Sequence, residues 1–198
     1  MQTKLEHMMQ LQDELNSKIH PEWREQGCDW DSAILDECAE LLNQLGYKWW
    51  KNQIPNIPMA KLEVVDIWCF VLSYCIQNGR SASGFISYMP KTTSQDEIDI
   101  REVIRQSKYV ASSRGQSTLL MSFYGLCCEI RMTFDELYAL YIGKIALNKF
   151  RQDNGYKEGT YQKIWLGEED NQYLYDICQD FSTEGDIYNQ LEKVYAAL

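Results

Sequence analysis

The sequence predicts a single all-α domain, and two observations carry that expectation. Helix breakers are scarce, with only 4 Pro and 11 Gly in 198 residues, whereas Leu, Glu, Gln, Lys and Ala, all good helix formers, are plentiful. The long apolar segments also lack the alternation of a half-buried strand. A chain of this length supports one good core, or a core with a small mobile subdomain, and two independent domains are not expected. A hydrophobic fraction of 45%, an aromatic fraction of 13% and dispersed charges of both signs exclude a disordered chain.

The first helix is expected from about Lys4 to Lys18, before Pro21. The second starts near Asp31 with Asp29 or Asp31 as N-cap and runs to about Leu45, ahead of Gly46. An aromatic and basic connector, YKWWKNQIPNIP, follows, kept non-helical by its prolines. The third helix is expected from about Ala60 to Gln77. Its centre, LEVVDIWCFVLSYCI, is apolar on every side except at Glu63, Asp66 and Ser73, which suits a helix buried in protein better than a membrane span. The stretch NGRSASGFISYMPKTTS reads as a loop. Further helices are expected at about Gln95–Ala111 and Ser117–Arg131. A capping box of Thr133 with Glu136 opens a long helix to about Arg151, and one or two more helices follow from about Glu169.

Net charge is -10, so the surface repels nucleic acid and anionic membranes. Any phosphate must meet a metal or a local basic cluster. The N-terminal run MQTKLEHMMQLQDELN has no apolar core of signal-peptide type, which predicts a cytoplasmic protein. Seven Cys in no framework spacing read as reduced thiols. With two His and no Cys-x-x-Cys, a zinc site lacks ligands, so any metal must be held by carboxylates.

Two acidic pairs stand out. Ile34, Cys38, Leu41, Leu42 and Leu45 form one apolar stripe on the second helix. Glu37 lies on its border, with Glu40 one turn further on, close enough for both to reach one ion. Such a pair is more often a solvated helix face. Glu63 and Asp66 repeat the spacing where the surroundings are apolar, and buried carboxylates demand neutralisation. The segment itself offers no cation beyond Lys61. Together the four carboxylates match two divalent cations, and hard oxygen ligands point to Mg²⁺ or Mn²⁺.

On these residues the chain resembles the dimeric all-α dUTPase family, within the all-α NTP pyrophosphatase superfamily. The resemblance rests on LQDELN, on DECAELLNQLGYKWWK and KLEVVDIWCFVLS, and on KIALNKFRQDNGYKEGTYQKIWLGEEDN. It covers roughly residues 5 to 75 and 140 to 175. The family motif, Glu-x-x-Glu and then Glu-x-x-Asp, is matched by Glu37, Glu40, Glu63 and Asp66, with 22 residues between Glu40 and Glu63. One departure is Cys69, where the family pattern often has His. The resemblance implies a multi-helix bundle of the superfamily type spanning residues 1–198, with a mobile helical insertion at about 80–131.

It also implies the site. Lys144, Asn148 and Arg151 share one helix face, and with Tyr156 and Lys157 they are carried over as phosphate and sugar ligands. A solvated face is the plain alternative for such residues. Gln12 and Asn16, four apart on the first helix, become candidate readers of the uracil edge, since amides both donate and accept. Trp49 and Phe70 are candidate pocket walls, and Asp66 a neighbour of the deoxyribose. The implied reaction is Mg²⁺-dependent hydrolysis of dUTP, and of dUDP, to dUMP with release of pyrophosphate or phosphate. A metal-activated water is directed at the β-phosphorus. Glu37, Glu40, Glu63 and Asp66 form the catalytic and metal set, with Glu40 as the base that orients the water. The family suggests a homodimer acting on a small-molecule substrate. Two alternatives remain at this level: a sister pyrophosphatase for another nucleotide such as dCTP, and a noncatalytic acidic helical binding protein.

Overall fold

Eight α-helices and one two-residue hairpin account for the regular structure of the computed structural model, which describes residues 1–80 and 97–198. Helix α1 (Gln2–Ile19) buries Leu5, Met8, Leu11 and Leu15 on one face, together with the polar Gln12 and Asn16. It stops at His20, before Pro21, and a short 3-10 turn at Trp23–Glu25 leads to α2 (Trp30–Gln44). Asp29 is the N-cap, accepting from the Ser32 amide. The expected stripe is buried through Ile34, Cys38, Leu41 and Leu45, with Leu42 at its half-buried margin. Gly46 turns the chain with φ +65°, and a Cβ there would stand 3.1 Å from that of Gln53.

Helix α3 (Ile57–Gln77) begins three residues earlier than expected. Asn56 caps it by accepting from the Met59 amide, and Pro58 sits in the first turn, where no backbone N–H is needed. The helix is the centre of the molecule, buried on nearly every side, with Trp68 stacked on Phe123 at 4.9 Å between ring centroids. Helices α1 and α2 and the later helix Phe134–Asp153 pack around it. No helix among the described residues is long and apolar enough to cross a membrane.

Helices α4 (Ile100–Ser112) and α5 (Gln116–Glu129) pack on each other and against α2 and α3. The expected start of α4 at Gln95 and most of the expected loop before it lie outside the described residues, as does part of the expected 80–131 insertion. Thr133 caps α6 (Phe134–Asp153) by accepting from the Glu136 amide. The other half of the expected capping box is replaced, because the Glu136 carboxylate pairs with Lys61 of α3 at 2.6 Å.

After α6 the chain forms an unexpected hairpin, Ile164–Trp165 with Glu168–Glu169, in the register Ile164↔Glu169. Its turn residues Leu166 and Gly167 both have positive φ, +49° and +98°, as a tight two-residue hairpin turn requires. Helices α7 (Asp170–Asp180) and α8 (Glu184–Tyr195) complete the chain. Phe150 of α6 is surrounded by the rings of Tyr161, Trp165, Tyr188 and Tyr195, which fasten the C-terminal part to the core. All seven cysteines are free thiols.

Candidate active site

Packing of α2 on α3 brings the two acidic motifs together. Glu37, Glu63 and Asp66 each offer a carboxylate oxygen, and the three atoms lie within 4.8 Å of one another. Glu63 is 4% exposed. Its Oε1 accepts from Gln44 Nε2 at 3.1 Å, while its buried Oε2 has no hydrogen-bond partner among the described residues. Glu40 stands apart from this trio. It is exposed, although its charge still bears on Glu37 and Glu63.

One cation enters the cluster from α6. Lys144, 2% exposed, pairs with Asp66 Oδ2 at 2.6 Å and donates to Asn171 Oδ1 at 2.9 Å. Sequence reasoning placed Lys144 on phosphate and looked for no cation here beyond Lys61. The fold instead commits the Lys144 ammonium to Asp66, and Lys61 to Glu136.

One ammonium against three carboxylates leaves the cluster short of positive charge. Burial, reinforced by the negative charge of Asp66, pushes Glu37 up to about 8. The same causes push Glu63 up to about 7, with Lys144 opposing in both cases. Three converging hard oxygens, in a cluster where Glu63 keeps one buried oxygen without a donor, fit a divalent cation.

A cavity of about 250 Å³ adjoins the cluster, with Glu37 and Asp66 in its wall. Gln12 and Asn16 of α1, Phe70 of α3, Asn148 and Arg151 of α6, and Tyr156 just beyond α6 also line it. These elements meet because α1 and α6 pack on each other and on α3, and Lys18 of α1 pairs with Asp153 at the end of α6. Arg151 is held in a fixed pose. Its Nε and Nη2 donate to the two oxygens of Asp170 at 2.8 and 2.7 Å, and its Nη1 donates to Asn148 Oδ1 at 3.2 Å. The Arg151 guanidinium carbon lies 5.7 Å from the centre of the Tyr156 ring.

Two expected residues lie elsewhere. Trp49 is 90% exposed on the connector and takes no part in lining the cavity. Lys157 is exposed and donates to the Ile19 carbonyl at 2.9 Å, bracing the end of α1. Conversely, sequence reasoning missed Asp170, which is fully buried and also accepts from the Tyr161 hydroxyl at 2.8 Å. It missed Ser73 and Tyr141 as well, which bond Asn16 and Gln12. The available signals were Ser73 as the one serine in an apolar helix and Asp170 in the run GEEDN.

A family model described as dUTPase matches residues 4–156, well over half of the chain. No curated protein matches it. An all-helical core with converging acidic motifs beside a polar cavity agrees with that match. The chain therefore belongs to the all-α dUTPase family and is a dUTP diphosphatase, an enzyme whose substrate is a small nucleotide.

Proposed function

We propose that the protein hydrolyses dUTP, and also dUDP, to dUMP in a Mg²⁺-dependent reaction at the Glu37, Glu63 and Asp66 cluster. The observation that carries this reading is the convergence of the three carboxylates within 4.8 Å, with Glu63 Oε2 buried and unpartnered, beside a cavity lined by Gln12, Asn16, Asn148 and Arg151. Mg²⁺ held by these carboxylates would supply the missing positive charge, acidify water and offset the charge that builds on the leaving dUMP oxygen. Mn²⁺ satisfies the same oxygen ligands.

The remaining roles belong to the chain. Glu40, at the solvent edge of the cluster, accepts a hydrogen bond from the attacking water and takes its proton as the oxygen bonds to the β-phosphorus. The bridging oxygen leaves with dUMP. Arg151, oriented by Asp170, and Asn148 and Tyr156 hold the phosphates and sugar. Lys144 pairs with Asp66, and Lys157 braces the cavity rim. Gln12 and Asn16 read the base, with Phe70 against its face. We assign Trp49 to the interface of a homodimer, in which the exposed Trp49, Trp50 and Ile54 of the connector are covered by the second copy. The free thiols fit a cytoplasmic location.

Pyrophosphate release from dUTP, dCTP, dTTP and UTP, with Mg²⁺ present or chelated, tests this function. Mg²⁺-dependent release that favours dUTP is expected. A preference for dCTP, or full activity in chelator, refutes it. Light scattering after size exclusion tests the dimer.

A further inference from the structure

The two amides assigned to base reading are the middle of a hydrogen-bond chain whose ends are Ser73 and Tyr141. Ser73 is fully buried in α3, and its hydroxyl donates to the Cys69 carbonyl at 2.8 Å. A carbonyl only accepts, so the single Ser73 proton is committed there. The Ser73 oxygen can then only accept, which it does from Asn16 Nδ2 at 2.9 Å. This forces Asn16 Oδ1 to the other side, where it accepts from Gln12 Nε2 at 3.0 Å. Gln12 Oε1 in turn accepts from the Tyr141 hydroxyl at 3.1 Å. Tyr141 is itself fully buried, and its one hydroxyl proton is shared between Gln12 Oε1 and the Met8 carbonyl at 2.8 Å, so this end of the chain is held less firmly than the Ser73 end. Every bond in the chain runs in one direction, and neither amide can turn over without breaking two of them.

We propose that Ser73 and Tyr141 are positioning residues that set base specificity by fixing the polarity of the Asn16 and Gln12 amides. Both amides line the cavity, and each commits one N–H and one oxygen lone pair to the chain, leaving one of each for a ligand. Uracil offers an acceptor at position 4 and a donor at N3, whereas cytosine offers a donor at position 4 and an acceptor at N3. An amide that pairs with one must flip end for end to pair with the other. A hydroxyl buried beneath the site thus selects between bases it never touches. The inference rests on the base-reading role of Asn16 and Gln12.

The test is the ratio of kcat/KM for dUTP to that for dCTP in the full-length enzyme with Mg²⁺. Ser73→Ala releases Asn16, and the ratio is expected to fall about 10-fold, the equivalent of one hydrogen bond, mainly through the KM for dUTP. Tyr141→Phe releases the other end, with a fall in the same direction. Both rates come from one sample, so a lower folded fraction cancels. A purely structural role lowers both rates equally. An unchanged ratio in Ser73→Ala, or in Tyr141→Phe should Ser73→Ala be inactive, overturns the proposal. Asn16→Ala separates the two levels: if it too leaves the ratio unchanged, the base-reading assignment itself fails, whereas a collapsed ratio confines the failure to Ser73 and Tyr141.

Discussion

Replacing Glu63 by Gln is expected to make the metal-free protein more stable while removing its activity. The amide keeps Oε1 as an acceptor for Gln44 and puts an N–H donor where the buried Oε2 has no partner, among carboxylates that can accept. The magnitude follows from the ionisation of Glu63, which burial and Asp66 raise from 4.5 to about 7. A carboxyl whose pKa is raised in the folded state binds its proton more tightly there than in the unfolded chain. Wild-type stability therefore falls as pH rises through the interval from 4.5 to about 7. At about 1.4 kcal/mol for each pKa unit, the cost at pH 8 is about 3 kcal/mol. Gln carries no such cost. In chelator at pH 8 the variant should melt higher, and at roughly 2–4 °C per kcal/mol for a chain of this size the gain is about 6–12 °C. The gain shrinks toward zero as pH is lowered to 4.5. In Mg²⁺ the order reverses, because only the wild type gains the binding energy. Turnover should drop more than about 100-fold, since even residues behind the ligands of a metal cost 10–100-fold. Melting curves with Mg²⁺ or chelator at pH 5 and 8, together with pyrophosphate release, give every quantity. A variant that melts below wild type in chelator at pH 8, or that turns over at near wild-type rate in saturating Mg²⁺, refutes the reasoning.

Three further outcomes are expected. Lys144→Met leaves the half-buried Asp66 without its cation, so stability should fall by about 3 kcal/mol, the lower end of the range for breaking a buried pair. Thermal melts should also show Mg²⁺ rescuing this variant more than wild type. Asp170→Asn removes the two-oxygen cradle of Arg151; the KM for dUTP should rise about 10-fold, the equivalent of about 1.4 kcal/mol, and unchanged steady-state kinetics would show that Arg151 does not need this anchor. Leu166→Asn suits the left-handed backbone at φ +49° and should raise stability by about 1 kcal/mol at this exposed turn, with activity unchanged, as read by a melt and a dUTP assay.

The helical core was legible because its determinants are local. The apolar stripe of α2, the all-round apolarity of α3 and the caps at Asp29 and Thr133 are each written within a few residues. The acidic motifs were legible as a pair, but Glu37 and Glu40 share the separation of Glu63 and Asp66 without sharing its consequence. Residues three apart diverge by about 60° around a helix. On α3, enclosed on nearly all sides, that divergence keeps both carboxylates in the site; on α2, buried along one stripe, it carries Glu40 out to solvent. Lys144 and Asp170 were misjudged or missed because their partners, Asp66 and Arg151, lie 78 and 19 residues away in the chain. The hairpin was hidden because Leu166 is an unusual residue for its left-handed turn. Trp49 is the reverse case: the resemblance made it a candidate wall, whereas it stands exposed on the connector.

The family match ends at Tyr156, yet the counter-ion of Arg151 and the rings around Phe150 are all contributed by residues 161–195. A protein trimmed to the matched span would keep its acidic ligands but carry a guanidinium without its carboxylate partner and a bare aromatic face on α6. The smallest working unit of this enzyme is consequently larger than the segment by which its kinship is known, and expression designs should retain the C-terminal helices.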